Sequence, residues 1–481
     1  MTRVLAIASE IFPLVKTGGL ADVAGALPSA LSAAGDETTT VVPGYPAVLQ
    51  GLKDAYEVYR FPDLFGGPAN VLRGTAASLD LLVIDAPHLF GRPGNPYNGP
   101  DGQEWPDNDM RFAGLSAAGA AIGTGMIPGL SFDIVHAHDW QTALVPVYLN
   151  YVHGPRPGTV LTIHNLAFQG RFHAGVFPRL GLPASAFTMT GLEYHHDVSY
   201  LKGGLSFADR LTTVSPTYAR EIATEEFGQG LDGLIRYRAG SLTGILNGID
   251  DVWNPATDEL IPNRFSRGRI GQRGGNKTAL QQRLGLNQSP SALLIGVVSR
   301  LTSQKGLDML LELIPGLLRD GVQIALLGSG ERPMETAFIE AAARNSGSIG
   351  CVIGYNEQVA HLIQAGSDAL LVPSRFEPCG LTQLCALRYG SIPIVSRVGG
   401  LADTVIDANE AALTAGVATG IQFSPVTPEA LEDGLRRLVL LWRNQPVWQR
   451  MQRNAMSADV SWRGPAGHYS ALYKSLLAER A

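Results

Sequence analysis

Three features of the sequence predict an α/β protein with two parallel-sheet domains. Short, β-branched apolar runs alternate with longer helical patterns along the whole chain, the order that builds βαβ units. The alternation breaks once, across the polar Asn/Gly/Arg/Pro-rich stretch Asn254–Asn287, and then restarts. Glycine fills 56 of the 481 positions, where an average usage of roughly 7% would supply about 34. That excess predicts many tight loops and close backbone approaches.

Before the break, strands are expected at Arg3–Ser9, Thr38–Val42, Leu79–Asp85, Asp133–His138, Val160–His164 and Arg210–Val214. After it they are expected at Ala292–Ser299, Gln323–Leu327, Cys351–Gly354, Ala369–Val372 and Ile392–Ser396. The expected division is residues 1–245, 246–456 and a tail at 457–481. The tail carries Trp462, Tyr469 and Tyr473, a helix in need of a packing surface. Phe112–Phe132 has no charge, but Ala, Gly and Ser dominate it and Pro128 breaks it. It is expected to be a packed interior helix, being too weakly apolar to span a bilayer. The N-terminal run ends at Glu10 after one basic residue, the pattern of a buried strand and not of a signal peptide.

Composition removes several function classes. Lys plus Arg is 37 against 43 Asp plus Glu, a net charge of −6, which argues against general nucleic-acid binding. An apolar fraction of 45% with 17% charged residues is incompatible with disorder. Three cysteines without CxxC spacing fit neither a disulfide scaffold nor a zinc site, and a reducing cytoplasm is the expected setting. No Walker A loop and no GxSxG elbow occurs.

Four constellations could carry chemistry. Lys16-Thr17-Gly18-Gly19-Leu20-Ala21-Asp22 follows a strand and opens a helix, where a lysine, close-approaching backbone and unpaired amides suit phosphate oxygens. Arg397-Val398-Gly399-Gly400-Leu401-Ala402-Asp403 echoes it and is expected to serve likewise. Ser299, Arg300 and Lys305 follow the strand Ala292–Ser299, so two cations lie where open α/β sheets bind ligands. Glu377-Pro378-Cys379-Gly380-Leu381-Thr382 sets a carboxylate beside a helix start, suiting a ligand with both hydroxyls and phosphate. His136, His138, Asp139 and Trp140, then His164 and Asn165, lie at strand ends. The histidines fit satisfied hydrogen-bonders better than metal ligands, since no third ligand is evident. Asp107-Asn108-Asp109 is formally a DxD, but it is expected in a loop and carries little weight. No metal site is assigned.

Lys16-Thr17-Gly18-Gly19-Leu20, His136-Ala137-His138-Asp139-Trp140, Asn247-Gly248-Ile249-Asp250 with Trp253-Asn254-Pro255, and Glu377-Pro378-Cys379-Gly380-Leu381 together resemble the bacterial glycogen synthase and plant starch synthase family. The likeness runs from Val4 to Tyr473. It implies a GT-B glycosyltransferase: two Rossmann-like domains facing a deep cleft, with a final helix crossing back onto the first. The implied reaction is transfer of glucose from ADP-glucose to the non-reducing 4-hydroxyl of an α-1,4-glucan, with retention, needing no metal or other cofactor.

The resemblance also implies roles. Lys16, Gly18, Arg300 and Lys305 fall on the family's diphosphate contacts, with Gly19, Asp22, Ser299, Cys379 and Gly380 beside them. Leu381 and Thr382 supply helix-start amides. Glu377 would hold the donor's hydroxyls, His164 its primary hydroxyl, and Asp139 would act near the reacting centre. Asn247 and Tyr97 would touch sugar, and Tyr355 would pack on adenine. Many retaining GT-B enzymes have a second glutamate where this chain has Cys385, a departure shared with glycogen and starch synthases. The alternatives are a UDP-glucose-dependent relative and a glucan-binding homologue without activity. Expected partners are ADP-glucose or ADP and an α-1,4-glucan, with neither nucleic acid nor membrane; a homo-oligomer stays open.

Overall fold

The computed structural model describes residues 1–480. Two compact units form, one from Met1–Asn247 together with Trp462 onward, the other from Gly248–Ser461.

Among its described residues the first unit has twelve strands: β1 Arg3–Ile7, β2 Glu37–Pro43, β3 Lys53–Phe61, β4 Ala69–Ala76, β5 Leu79–Asp85, β6 Ile134–His138, β7 Gly158–Ile163, β8 Arg171–His173, β9 Glu193–Tyr194, β10 Asp197–Ser199, β11 Arg210–Thr213 and β12 Leu242–Gly244. Nine make one sheet in the order β12-β11-β7-β6-β1-β2-β5-β4-β3, and β8, β10 and β9 form a small separate one. Its central strands are apolar and buried along their length, as in β7 (Gly-Thr-Val-Leu-Thr-Ile), because helices cover both faces of a parallel sheet. The β3–β4 hairpin is antiparallel and was absent from the expected strands. β3 carries Lys53, Asp54, Glu57 and Arg60 and is mostly exposed, so an edge strand here lacks the apolar signature.

Residues 112–123 of the uncharged run lie in the helix Asn108–Gly123, which is buried nearly throughout and ends before Pro128, and residues 124–132 lie outside it. Its small residues are a packing requirement: a Cβ at Gly119 would meet Ile7 Cδ1 at 2.5 Å. No helix among the described residues is long and apolar enough to cross a membrane. The helix Arg463–Arg480 belongs to the first unit, where Trp462, Tyr469, Tyr473 and Leu476 pack with Val4, Val23, Leu27 and Ile134. Each buried side chain of this size stabilises by about 1.5–3 kcal/mol.

The second unit has six parallel strands, β13 Leu294–Leu301, β14 Gln323–Gly330, β15 Ile349–Ile353, β16 Ala369–Val372, β17 Ile392–Ser396 and β18 Ile421–Phe423, ordered β15-β14-β13-β16-β17-β18. Strand order reverses between β13 and β16 here, and between β1 and β6 in the first unit. In open α/β sheets, ligands bind at such switch points, beyond the carboxyl ends of the two strands.

Candidate active site

In the first unit, Lys16, Gly18 and Gly19 follow β1, Asp139 follows β6, His164 follows β7 and Asn247 follows β12, while Tyr97 lies in the segment before the helix Asn108–Gly123. β1 is followed by Glu10, a carboxylate only 2% exposed that the sequence pattern presents merely as the polar end of a strand. It accepts hydrogen bonds from the Thr17 hydroxyl at 2.5 Å, the Thr17 amide, the Gly18 amide at 3.2 Å and the Tyr97 hydroxyl. Tyr97 also lies 2.9 Å from Ser9 Oγ. Glu10 therefore pins the Lys16–Gly18 loop and Tyr97 to the strand end, and engages the Gly18 amide and the Tyr97 hydroxyl expected to meet ligand. Lys16 Nζ pairs with Asp22 at 2.7 Å, in the first turn of the helix Gly19–Ala33.

Asp139, directly after β6, has φ +59° and ψ −175°, a region essentially reserved for glycine. Its carboxylate accepts the His164 amide at 2.7 Å and the Asn165 amide at 3.3 Å, so the ends of β6 and β7 are tied together. Burial pushes the Asp139 carboxyl up to about 7; the two amides oppose this and the charge of Glu10 adds to it. His164 and His138 are buried, and burial holds both imidazoles neutral, lowering His138 to about 3 and His164 well below the usual range. Asn247 is buried, and its Oδ1 has no hydrogen-bond partner among the described residues. Such an orphaned acceptor is costly unless something donates to it.

The DxD stretch begins the helix Asn108–Gly123 and does not lie in a loop. Asp107 is engaged by both Arg92 nitrogens at 2.8 and 2.9 Å, and Asp109 accepts from the Met110 amide. Among the described residues, no group of three or more His, Cys, Asp or Glu side chains is arranged to hold a metal.

In the second unit the switch point joins the loops after β13 and β16. Ser299 and Arg300 lie in the last turns of β13, which extends to Leu301 and not only to Ser299. Ser299 Oγ donates to the Arg300 carbonyl at 3.0 Å, while the exposed Arg300 guanidinium reaches Gln304 at 3.4 Å. Gln304 in turn donates to the Phe376 carbonyl at 3.2 Å, clipping the two loops together. Lys305 Nζ lies 2.5 Å from Glu377 Oε2, which also accepts from Ser374 Oγ at 2.7 Å. Cys379 is buried, Gly380 has φ +70°, and Gln383 donates to the carbonyls of both. The helix Thr382–Tyr389 starts here with Leu381 as its cap, so its first amides have no intrahelical partner.

The second Gly-Gly turn plays a different part from the one its sequence suggests. The Gly400 amide donates to the carbonyls of Glu377 and Pro378 at 3.1 Å. A Cβ at Gly399 would stand 1.9 Å from the Glu377 carbonyl oxygen. The turn is a floor under the Glu377–Cys379 loop, so its backbone supports the site from beneath and its resemblance to Lys16–Asp22 is one of local shape.

Cys385 is buried with Leu384, Leu387, Ile249 and Val460. Tyr355 follows β15, at the sheet edge, with its ring exposed and its hydroxyl on Glu357. The structure thus brings together Asp139 with His164, Lys305 with Glu377, Gly18 and Tyr97 around Glu10, and Lys16 with Asp22. The sequence pattern missed Glu10, Gln304 and Ser374, whose parts depend on partners reached only in the fold. A charged residue closing a buried strand at the switch point was the available signal for Glu10.

The family model for the starch synthase catalytic domain matches residues 3–237, and that for glycosyl transferases group 1 matches residues 280–457. A glycogen synthase of Rhodopseudomonas palustris (strain HaA2) is 59% identical over 474 residues, covering 98% of each chain. One from Methylocella silvestris is 58% identical, covering 99% of each. The catalytic domain of Starch Synthase IV from Arabidopsis thaliana, bound to ADP and acarbose, superposes with a TM-score of 0.91 at 32% identity over 99% of both chains. The sucrose-phosphate synthase of Thermosynechococcus elongatus, at 17% identity and a TM-score of 0.60 over 100% of both chains, shares the fold.

Proposed function

The chain belongs to the glycogen and starch synthase family of GT-B glycosyltransferases, and we propose that it transfers glucose from ADP-glucose to the non-reducing 4-hydroxyl of an α-1,4-glucan with retention of configuration. The Lys305–Glu377 pair at the β13/β16 switch point carries this reading. A cation beside a buried carboxylate suits a ligand that offers phosphate to one and hydroxyls to the other. The shared name of the relatives and the ADP and acarbose of the Arabidopsis structure support the same assignment.

In the second unit Lys305, Arg300 and the amides of Leu381 and Thr382 are assigned to the donor's diphosphate, and in the first unit Lys16 is assigned to phosphate. These charges and dipoles offset the negative charge that grows on ADP as the glycosidic bond breaks. Glu377 accepts from the glucose hydroxyls, His164 meets the primary hydroxyl, and Asn247 Oδ1 accepts from sugar. The Asp139 carboxylate faces the positive character of the glucosyl ring, while Tyr355 lies against adenine. Attack from the leaving-group face lets the departing phosphate take the acceptor's proton and preserves the α configuration without a covalent intermediate. This scheme assigns no metal and no organic cofactor; three cysteines without CxxC spacing support a cytoplasmic setting.

The test is incorporation of labelled glucose into glycogen from ADP-glucose and from UDP-glucose, with a chelator present. Efficient transfer from ADP-glucose with an α-linked product is expected. A preference for UDP-glucose would overturn the donor assignment, and loss of activity on chelation would overturn the metal-free scheme.

A further inference from the structure

A bond between two imidazoles is left unused by this scheme. His138 Nδ1 lies 3.0 Å from His164 Nε2, within the first unit, and both rings are buried. A neutral imidazole has one N–H and one bare nitrogen. Where two neutral rings meet nitrogen to nitrogen, one proton is shared between the facing atoms, so the tautomer of one dictates that of the other. With the proton on His138 Nδ1, His164 Nε2 is bare and His164 Nδ1 becomes a donor. With the proton on His164 Nε2, His164 Nδ1 becomes an acceptor. Nδ1 is the one nitrogen His164 has left for a substrate, so His138 governs what His164 can do.

His138 is itself held firmly. Its amide donates to Thr142 Oγ1 at 2.6 Å, and its ring lies against His136 with centroids 4.1 Å apart. His136 is clamped between the Tyr473 hydroxyl at 2.8 Å and Thr162 Oγ1 at 2.6 Å. Packing alone would be met by an apolar side chain; a nitrogen aimed at His164 is not needed for it.

We propose that His138 is a positioning residue that fixes the ring of His164 and the hydrogen-bonding character of His164 Nδ1 toward the donor sugar. The proposal rests on the assignment of His164 to that sugar.

The experiment combines 15N spectra of histidine-labelled wild-type enzyme with steady-state kinetics of three variants. In the wild type, His164 is expected as a single tautomer; a mixture would overturn the proposal without any variant. His138→Leu removes the facing nitrogen and is expected to lower kcat about tenfold, the scale of one lost orienting hydrogen bond, and to turn the His164 signals into a tautomeric average. His138→Asn returns a polar group near the Nδ1 position and is expected to recover most of kcat. A folded His138→Leu enzyme with wild-type kcat, or with unchanged His164 signals, would overturn the proposal. His164→Ala separates the two ideas: full activity there would remove the sugar assignment itself, whereas its loss beside an unaffected His138→Leu would overturn the positioning alone.

Discussion

Lys305 Nζ and Glu377 Oε2 sit 2.5 Å apart on two loops that leave neighbouring strands, with side-chain exposures of 16% and 9%. Each charge is thus satisfied by the group beside which it would act. Removing either partner strands the other in a mostly dry position. Glu377→Gln is expected to lower kcat/KM by about 10²-fold or more, as when one preorganised group is taken from a transition state. Lys305→Met is expected to do the same and also to lower the melting temperature, because a buried carboxylate keeps only Ser374. Wild-type kinetics in Glu377→Gln would refute the assignment.

Asp139 combines a glycine-only backbone conformation with a carboxyl raised to about 7. In the unfolded chain the group ionises near 3.9. Its ionisation therefore increasingly favours the unfolded chain between about pH 4 and 7, and by a constant amount above 7. Asp139→Asn keeps an acceptor for the His164 and Asn165 amides but carries no charge. It is expected to abolish transfer while raising stability at pH 8 by on the order of 4 kcal/mol, a gain that fades toward pH 4. Denaturant melts at both pH values check this; a variant less stable than wild type at pH 8 would contradict it. The wild-type kcat/KM should fall as pH drops through about 7.

Gly399 is predicted to tolerate no side chain, because the Glu377 carbonyl occupies the Cβ position and φ is +42°. Gly399→Ala must lift the Glu377–Cys379 loop. The expected outcome is a KM for ADP-glucose raised about tenfold or more, since misplacement of about 1 Å at a site is worth up to 10²-fold. Gly274→Ala, on the exposed face of the helix Arg273–Arg283 with open space around it and no positive φ, serves as the comparison and should leave KM unchanged.

How much of this was legible in the sequence depended on whether burial left a mark on residue type. Central strands such as β16, Ala-Leu-Leu-Val, are buried on both faces and matched expectation residue for residue. The β3–β4 hairpin was invisible because an exposed edge needs no apolar run. Motif residues at strand ends landed at the two switch points. Glu10 did not announce itself, since its role depends on Tyr97, 87 positions away. Gly399 and Gly400 misled for the opposite reason: a local pattern reports the shape of a turn, while the group receiving its amides is set by tertiary packing.

His361 supplies a stability test at a residue that is assigned no contact with substrate. Its ring stacks on Trp253 at 3.9 Å, with Asp258 at 2.8 Å from Nδ1 and Glu357 at 3.3 Å from Nε2. Burial works against its charge, but the hydrogen bonds to Asp258 and Glu357 outweigh that and lift it to about 9. The pair's contribution is therefore complete below the unfolded value near 6.5 and is lost as pH rises through about 9. The stability gap between wild type and His361→Gln is expected to shrink by about 2–3 kcal/mol across that window. A gap independent of pH would show His361 to be neutral throughout.

The helix Arg463–Arg480 completes the core of the first unit, yet the whole second unit, Gly248–Ser461, precedes it in the chain. At roughly 5–20 residues per second of synthesis, Val4, Leu27 and Ile134 must wait tens of seconds for Tyr469 and Tyr473 to leave the ribosome. During that interval the first unit is a nascent chain with an uncovered apolar groove, and the second unit is still being made, its core residues Trp448 and Met451 emerging only shortly before the helix. The first unit is thereby completed after the second, against their order in the sequence. A frameshift that cost only the final twenty residues would leave the amino-terminal half exposed to chaperones and proteases.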